Sequence, residues 1–178
     1  MLFGHYDRAD LGELNGERRS ASVERMGYGV RGGRFDMSLL FGKDAEVSSW
    51  AASQLNSNFL GFTIGIGVVE DGELVGAAVL HNWSHNDIEL SIAGRMTKQL
   101  LVAAAWIAFS RVVRVTIRVP RRKKRILKAA VKYGFRLEGT IRRLYGPFKR
   151  DDGIVFGLLK TEASRFIRGL ENVRAQSA

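Results

Sequence analysis

The chain has 178 residues, of which 46% are hydrophobic and 26% charged, the balance of a folded globular domain long enough to bury a core without covalent staples. It has no cysteine, which excludes disulfide scaffolds, thiolate zinc sites, iron–sulfur clusters and cysteine nucleophiles, and its three histidines (His5, His81, His85) leave little for a metal site, so none is expected. The formal net charge is +10, and the excess is local: positions 90–137 hold 13 Lys/Arg and not one Asp or Glu, while the rest of the chain nets −3.

The first 42 residues are polar, with glycine and arginine concentrated at 27–34 and no sustained period of 2 or 3.6. They read as a loop-rich arm, 1–43, with one short helix near 17–26. The start MLFGHYDRAD lacks a basic stretch followed by an apolar one and so does not resemble a secretory signal. The longest apolar run, 100–109, is ten residues, too short to cross a bilayer. No membrane association is expected, and the default compartment is the cytoplasm.

Positions 44–55 read as a helix, with Asp44 as N-cap and Val47, Trp50, Ala51 and Leu55 on one face. Alternation of Phe62, Ile64, Ile66 and Val68 makes 62–69 a strand, and Asp71-Gly72 is a two-residue hairpin turn. The return strand, 74–81, is apolar on both faces and hence central. After a polar turn at 83–86, Ile88, Leu90 and Ile92 alternate with Glu89, Ser91 and Ala93 in a third antiparallel strand ending at Gly94. Positions 97–109 form a helix apolar nearly all round, which predicts burial, with Trp83 and Trp106 as packing residues. A β-branched strand over 112–119 ends at Pro120. A helix follows over 121–133, with Ile126, Leu127, Ala130 and Val131 inward and Gly134 as its stop. Strands at 135–142 and 154–160 flank a polar loop through Pro147, and a last helix is expected from 161 to about 174, so that 163–178 is a C-terminal helix or tail. The order predicts one mixed α/β (α+β) sheet of about six strands, mostly antiparallel, with helices on both faces.

Five adjacent cations, Arg121, Arg122, Lys123, Lys124 and Arg125, raise the local concentration of anions. A phosphorylated cofactor, a nucleic-acid backbone, an acidic protein surface and a merely solvated helix end all fit such a run. No GxxxxGK[ST] loop and no Ser/His/acid set with interpretable spacing supports a nucleotidase or hydrolase.

The element order, together with Val131-Lys132-Tyr133-Gly134-Phe135-Arg136-Leu137-Glu138-Gly139-Thr140-Ile141-Arg142-Arg143, resembles the GNAT superfamily of N-acetyltransferases. It looks most like the branch that modifies ribosomal-protein N-termini and its small bacteriophage-encoded relatives. In that branch a lysine-any-glycine-phenylalanine turn closes a helix, and a strand of the form arg-any-glu-gly-any-any-arg follows. The resemblance covers 44–162 and implies acetyl-CoA as cofactor and an amine as acceptor. It also implies that Ser91, Ile92 and Ala93 line the pantetheine and that Gly94, Arg95, Met96, Thr97 and Lys98 form the phosphate loop, with Lys123 near the place where the family keeps a cofactor-holding asparagine. Elementary physics agrees with the loop, because a helix N-terminus offers unpaired N–H groups and a positive dipole end. The sequence departs from the family pattern in carrying no glycine in 95–100, and alanine (Ala130) where many members place an acid tyrosine.

Transfer of acetyl to an amine needs a base, oxyanion donors and an acid. By alternation Glu89 shares a face with Ser91 and is the first candidate base, in the strand where several family members keep a catalytic glutamate. His81 is a second proton carrier near neutral pH, as is His85. Tyr145 is a candidate acid. Glu138 sits in the family block with a structural role as often as a chemical one. Three functions follow. The first is an N-acetyltransferase acting on a protein N-terminus, a lysine or a small amine. The second is a GNAT fold without catalysis, serving as a binding or structural module, such as a phage virion component or a host-directed factor, located in the host cytoplasm or the virion and admitting self-assembly. The third is nucleic-acid or acidic-protein binding through Arg121–Arg125.

Overall fold

The computed structural model describes residues 37–163; the expected helix at 17–26, the glycine–arginine stretch and most of the C-terminal helix lie outside them. The chain runs β1 (Met37–Leu40), α1 (Asp44–Leu55), β2 (Ile64–Glu70), β3 (Glu73–His81), β4 (Asp87–Gly94), α2 (Lys98–Phe109), β5 (Arg114–Pro120), α3 (Lys124–Lys132), β6 (Arg136–Ile141) and β7 (Gly153–Leu159). Helix resumes at 160–163. The seven strands form one sheet in the order β1-β2-β3-β4-β5-β7-β6. Every neighbouring pair is antiparallel except β4–β5.

Local chemistry accounts for most boundaries. Asp71 (φ 52°) and Gly72 (φ +86°) both adopt the left-handed conformation that a tight hairpin turn requires, and Glu70 faces Glu73 across it. Thr97 caps α2, its hydroxyl accepting from the Leu100 amide at 3.1 Å. Gly134 (φ +87°) ends the turn after α3. Asp44 does something other than the capping expected of it: its Oδ1 accepts from the Gly65 amide at 2.9 Å and ties the start of α1 to β2.

Alternation splits the core into two layers. On one face Ile66, Val68, Leu80, Ile88 and Leu90 pack against Leu100, Ala104 and Ala108 of α2. On the other, Ala77, Val79 and Ala93 meet Val47 and Ala51 of α1. A smaller cluster joins Ala130 of α3 to Ile154 and Phe156. Fully burying each larger aliphatic side chain contributes roughly 1.5–3 kcal/mol. Helix α1 covers the β2–β4 half of its face, leaving the β5–β7–β6 half without a helix over it among the described residues.

Several expectations need correction. Strand β1 lies inside the segment read as a loop-rich arm; it is a four-residue edge strand whose place is set by pairing with β2 (Met37↔Glu70) and not by its own pattern. The sheet therefore has seven strands, not about six. Phe62 is 63% exposed and precedes β2. Helix α3 begins at Lys124, three residues later than expected, because the Arg121 amide donates to Asp152 O and Lys123 to Pro120 O in a turn. Val131 (62% exposed) and Trp106 (65%) face outward, since each lies on the side of its helix away from the sheet.

Candidate active site

The single parallel pair is also the place where the sheet comes apart. Strands β4 and β5 pair only at Asp87↔Arg114, Ile88↔Val115 and Glu89↔Thr116; beyond that, β4 runs to Gly94 and β5 to Pro120 without pairing. Along the split each stays paired on its other side, β4 with β3 and β5 with β7, so the split cannot close by sliding one strand. Backbone polar groups along the two inner edges are thus left for something other than a strand to satisfy. Behind the split lies an apolar crevice walled by Leu90 and Ile92 of β4, Ile117 of β5, Leu101 of α2, Ile126 of α3 and Met96. Its enclosed part is about 70 Å³, roughly two water volumes.

The chain leaves β4 by folding tightly over β3. Arg95 N donates to Val75 O at 2.8 Å, and both contacting positions must be glycine. A Cβ on Gly76 would collide with the Arg95 carbonyl. A Cβ on Gly94 (φ +63°) would collide with Val75 O and sit 2.7 Å from the Trp50 ring. This turn aims the start of α2 at the mouth of the crevice. Thr97 satisfies the Leu100 amide, while the Lys98 and Gln99 amides lead the helix with no carbonyl behind them. Lys98 and Lys123 are exposed. Arg95, expected to serve a phosphate, is instead ion-paired with Glu70, because the fold over β3 carries its side chain back toward β2. Ala93 is buried against α1, and its side chain points away from the crevice. Of the expected pantetheine positions only Ile92 lines the crevice, and Ser91 faces the opposite side; Met96, expected in the phosphate loop, lines the crevice as well.

On that opposite side three candidates meet. His81 and Glu89 are cross-strand partners, so they share a face, and Ser91 is two residues further along. His81 Nε2 lies 2.9 Å from Ser91 Oγ, and Phe59 packs against the imidazole with ring centroids 4.7 Å apart. Burial holds the His81 pKa below its ordinary value, against the opposing charge of Glu89 and a hydrogen bond that the imidazole donates to Asn82, while the Arg118 charge pushes the same way as burial. With Nδ1 carrying the proton, Nε2 accepts from the serine hydroxyl. The Glu89 carboxylate is taken up: Oε2 accepts from Asn82 Nδ2 at 3.0 Å and pairs with Arg118 Nη2 at 3.1 Å. Tyr145, from the β6–β7 loop, donates its hydroxyl to Arg118 O at 3.0 Å, on the β5 side of the split. Burial raises its pKa, as does the Glu89 charge, and Arg118 and Arg122 oppose them. His85 is exposed in the β3–β4 turn and does not join this group.

Residues that the sequence did not single out complete the face, together with Glu138, which it did. Asn82 and Arg118 hold Glu89. Asp87 accepts from Thr116 Oγ1 and pairs with Arg114 at 2.8 Å, and Arg114 also pairs with Glu138 of β6, whose side chain lies flat across Gly157. The signal was present in the alternation of Arg114, Thr116 and Arg118 on one face of β5, but it takes the strand order to show that this face continues β4.

The Arg121–Arg125 run is divided. Arg121 pairs with Asp152 at 3.3 Å and Arg122 with Asp151, both carboxylates being buried. Among the described residues no group of His, Asp and Glu could hold a metal ion, and no helix is long and apolar enough to cross a membrane.

A mostly antiparallel sheet split at one parallel pair, with a capped helix starting at the split, is the fold of the GNAT acetyltransferases, and solved structures of that class superpose on this chain. The spermidine/spermine N-acetyltransferase SpeG from Vibrio cholerae matches with a TM-score of 0.58 at 12% identity, over 72% of this chain and 95% of that one. A putative acetyltransferase from Salmonella typhimurium, with its cofactor acetyl-CoA, matches at 0.54 and 12% identity over 69% and 93%. A GNAT family acetyltransferase from Elizabethkingia anophelis with acetyl-CoA bound matches at 0.52 and 15% identity over 72% and 99%. No family model and no curated protein matches the sequence.

Proposed function

We propose that this chain is an acetyl-CoA-dependent N-acetyltransferase. The observation that carries the reading is the split between β4 and β5, with an apolar crevice and leading helix amides on one side and the half-buried His81–Ser91 pair on the other. The residues fit the cofactor. Leu90, Ile92, Ile117 and Ile126 offer an apolar channel, the free strand edges offer amide partners, and the Lys98 and Gln99 amides with the Lys98 and Lys123 ammonium groups suit phosphates. When bound, acetyl-CoA supplies an activated acetyl thioester.

On the acceptor side, His81 is the base. Its depressed pKa keeps the imidazole neutral near pH 7, and the Ser91 hydroxyl passes the amine proton to Nε2. Glu89, the first candidate from the sequence, serves as the fixed anion that stabilises the imidazolium so formed, since Asn82 and Arg118 already occupy its Oε2. Tyr145 retains its proton at Oη beside the split and can give it to a departing thiolate.

The acceptor is a single primary amine, such as a protein N-terminus, a lysine or a small monoamine. SpeG is named as a spermidine/spermine acetyltransferase; here, among the described residues of this face of β4, β5 and β6, the carboxylates Asp87, Glu89 and Glu138 each pair with an arginine, which leaves none of the three free for a polycation. The resemblance to the ribosomal-protein and phage branch favours a protein acceptor. A second reading, a GNAT-fold binding module without catalysis, is favoured by the diversion of Arg95 to Glu70 and by the absence of glycine in 95–100. Titration with acetyl-CoA followed by thermal shift, then thiol release with a panel of peptides and amines, separates the two. Saturable stabilisation and amine-dependent thiol release support the enzyme, and no stabilisation at millimolar acetyl-CoA leaves only the module.

A further inference from the structure

The strongest charge feature of the molecule is not used by the acetyl-transfer site. With Arg121 and Arg122 neutralised, the free cations lie on the body of α3. Lys124, Lys128 and Lys132 follow one another at four-residue intervals, about 6 Å apart along the axis, and with Arg125 they fall within an arc of about 100°. All four are exposed and have no acidic partner among the described residues. The inward arc holds Leu127 and Ala130, so the helix is fixed against the sheet and cannot roll its charges away.

The two buried aspartates that neutralise Arg121 and Arg122 also shape a second part of this surface. Asp151 Oδ2 accepts from the Phe148 amide at 3.2 Å, and Asp152 Oδ1 accepts from the Arg143 amide at 2.9 Å. The β6–β7 loop is thereby bound through Arg121 and Arg122 to the segment that leads into α3, and it exposes Phe148, Lys149 and Arg150. Phe148 is 56% exposed, and the Arg150 guanidinium stands 4.8 Å from its ring centroid.

We infer that this surface binds single-stranded nucleic acid. A row of fixed cations at near-regular spacing suits a phosphodiester backbone. An exposed aromatic ring flanked by a guanidinium supplies the stacking platform on which an unpaired base rests. A cofactor phosphate at the crevice mouth can use Lys123 and the start of α3, but Lys128 and Lys132 lie one and two turns further on. A base stacked on the ring makes Phe148 matter more for a single strand than for a duplex, whose bases are already stacked on one another. The inference stands whether or not the chain transfers acetyl groups.

The test is fluorescence anisotropy of the full chain with labelled 20-mers, single-stranded and duplex, across a salt series. Anionic vesicles and polyglutamate serve as competitors. The logarithm of the affinity for the single strand should fall linearly with log salt. The K124E/K128E/K132E variant should flatten the slope by about 2, three phosphates at about 0.7 each. Phe148→Ala should weaken single-strand binding roughly 5- to 150-fold with the slope unchanged. K128E alone, expected to lower the slope by about 0.7, keeps the test open should the triple variant fail to fold. The inference is overturned by salt-independent binding, by a slope indifferent to these lysines, or by polyglutamate or vesicles competing at equal charge while Phe148→Ala binds as the parent does.

Discussion

Replacing Gly94 by alanine tests the geometry on which the proposed cofactor site depends, because this residue turns the chain from β4 into the α2 start. Its φ of +63° costs a residue with a Cβ about 1–2 kcal/mol. The new Cβ also meets the Val75 carbonyl, the Trp50 ring and the Gly76 backbone, two of them main-chain atoms that cannot rotate aside, which adds about 1–3 kcal/mol of overpacking. The relaxation that relieves this pulls Arg95 N from Val75 O, a hydrogen bond worth about 1 kcal/mol. The total, about 3–6 kcal/mol, is a large share of a stability of roughly 5–15 kcal/mol. At about 2–4 °C per kcal/mol for a chain of this size, the midpoint should drop by about 6–24 °C. Gly72→Ala is the matched control: its φ is +86°, but nothing lies within 4 Å of the added carbon, so only the backbone strain applies. Differential scanning calorimetry of both variants, followed by acetyl-CoA titration of whichever remains folded, reads the difference. Equal midpoints for the two would refute the argument that the β4 exit is held by close backbone contact.

Three further predictions bear on the site and the core. Because burial lowers the His81 pKa below its ordinary 6.5, the unfolded chain binds a proton that the folded chain does not, and stability must fall as pH drops through about 6.5 and level off below the folded pKa; in denaturant melts from pH 8 to 5, His81→Gln should lose that dependence, and an unchanged profile would remove His81 as its source. Tyr145→Phe should lower acetyl transfer roughly 10²-fold while costing about 1 kcal/mol of stability or less, since its hydroxyl makes one partly exposed hydrogen bond; full activity would show that the proton comes from elsewhere. Leu100→Ala empties a fully buried position between α2 and the sheet and should cost about 2–5 kcal/mol in chemical denaturation; a loss below 1 kcal/mol would mean that α2 is not packed as described.

Local grammar was legible in the residues themselves. The Asp71-Gly72 hairpin, the Thr97 start of α2 and the Gly134 stop each rest on a side chain or a missing Cβ acting within a few residues of its own position. The alternation of Ile88, Leu90 and Ile92 against Glu89 and Ser91 already placed the apolar wall and the polar group on opposite faces of one strand. Strand β1 was not legible, because four edge residues carry no period and are held by β2.

The site depended on contacts that no local pattern encodes. His81 reaches Ser91 only because β3 and β4 pair in the His81↔Glu89 register, and a slip of one residue would place the two groups on opposite faces. Arg118 reaches Glu89 only because β5 lies beside β4 in the sheet. Arg95, Arg121 and Arg122 look alike in the sequence as free cations, yet each ends on a carboxylate between 25 and 31 residues away, while the lysines of α3 do not. Composition and periodicity determined which segments become strands and helices and where positive charge accumulates, since those depend on nearest neighbours. Which charges remain available, which histidine is buried and where the sheet opens were decided by the tertiary structure, because electrostatic pairing and desolvation depend on distance in space and not on separation along the chain.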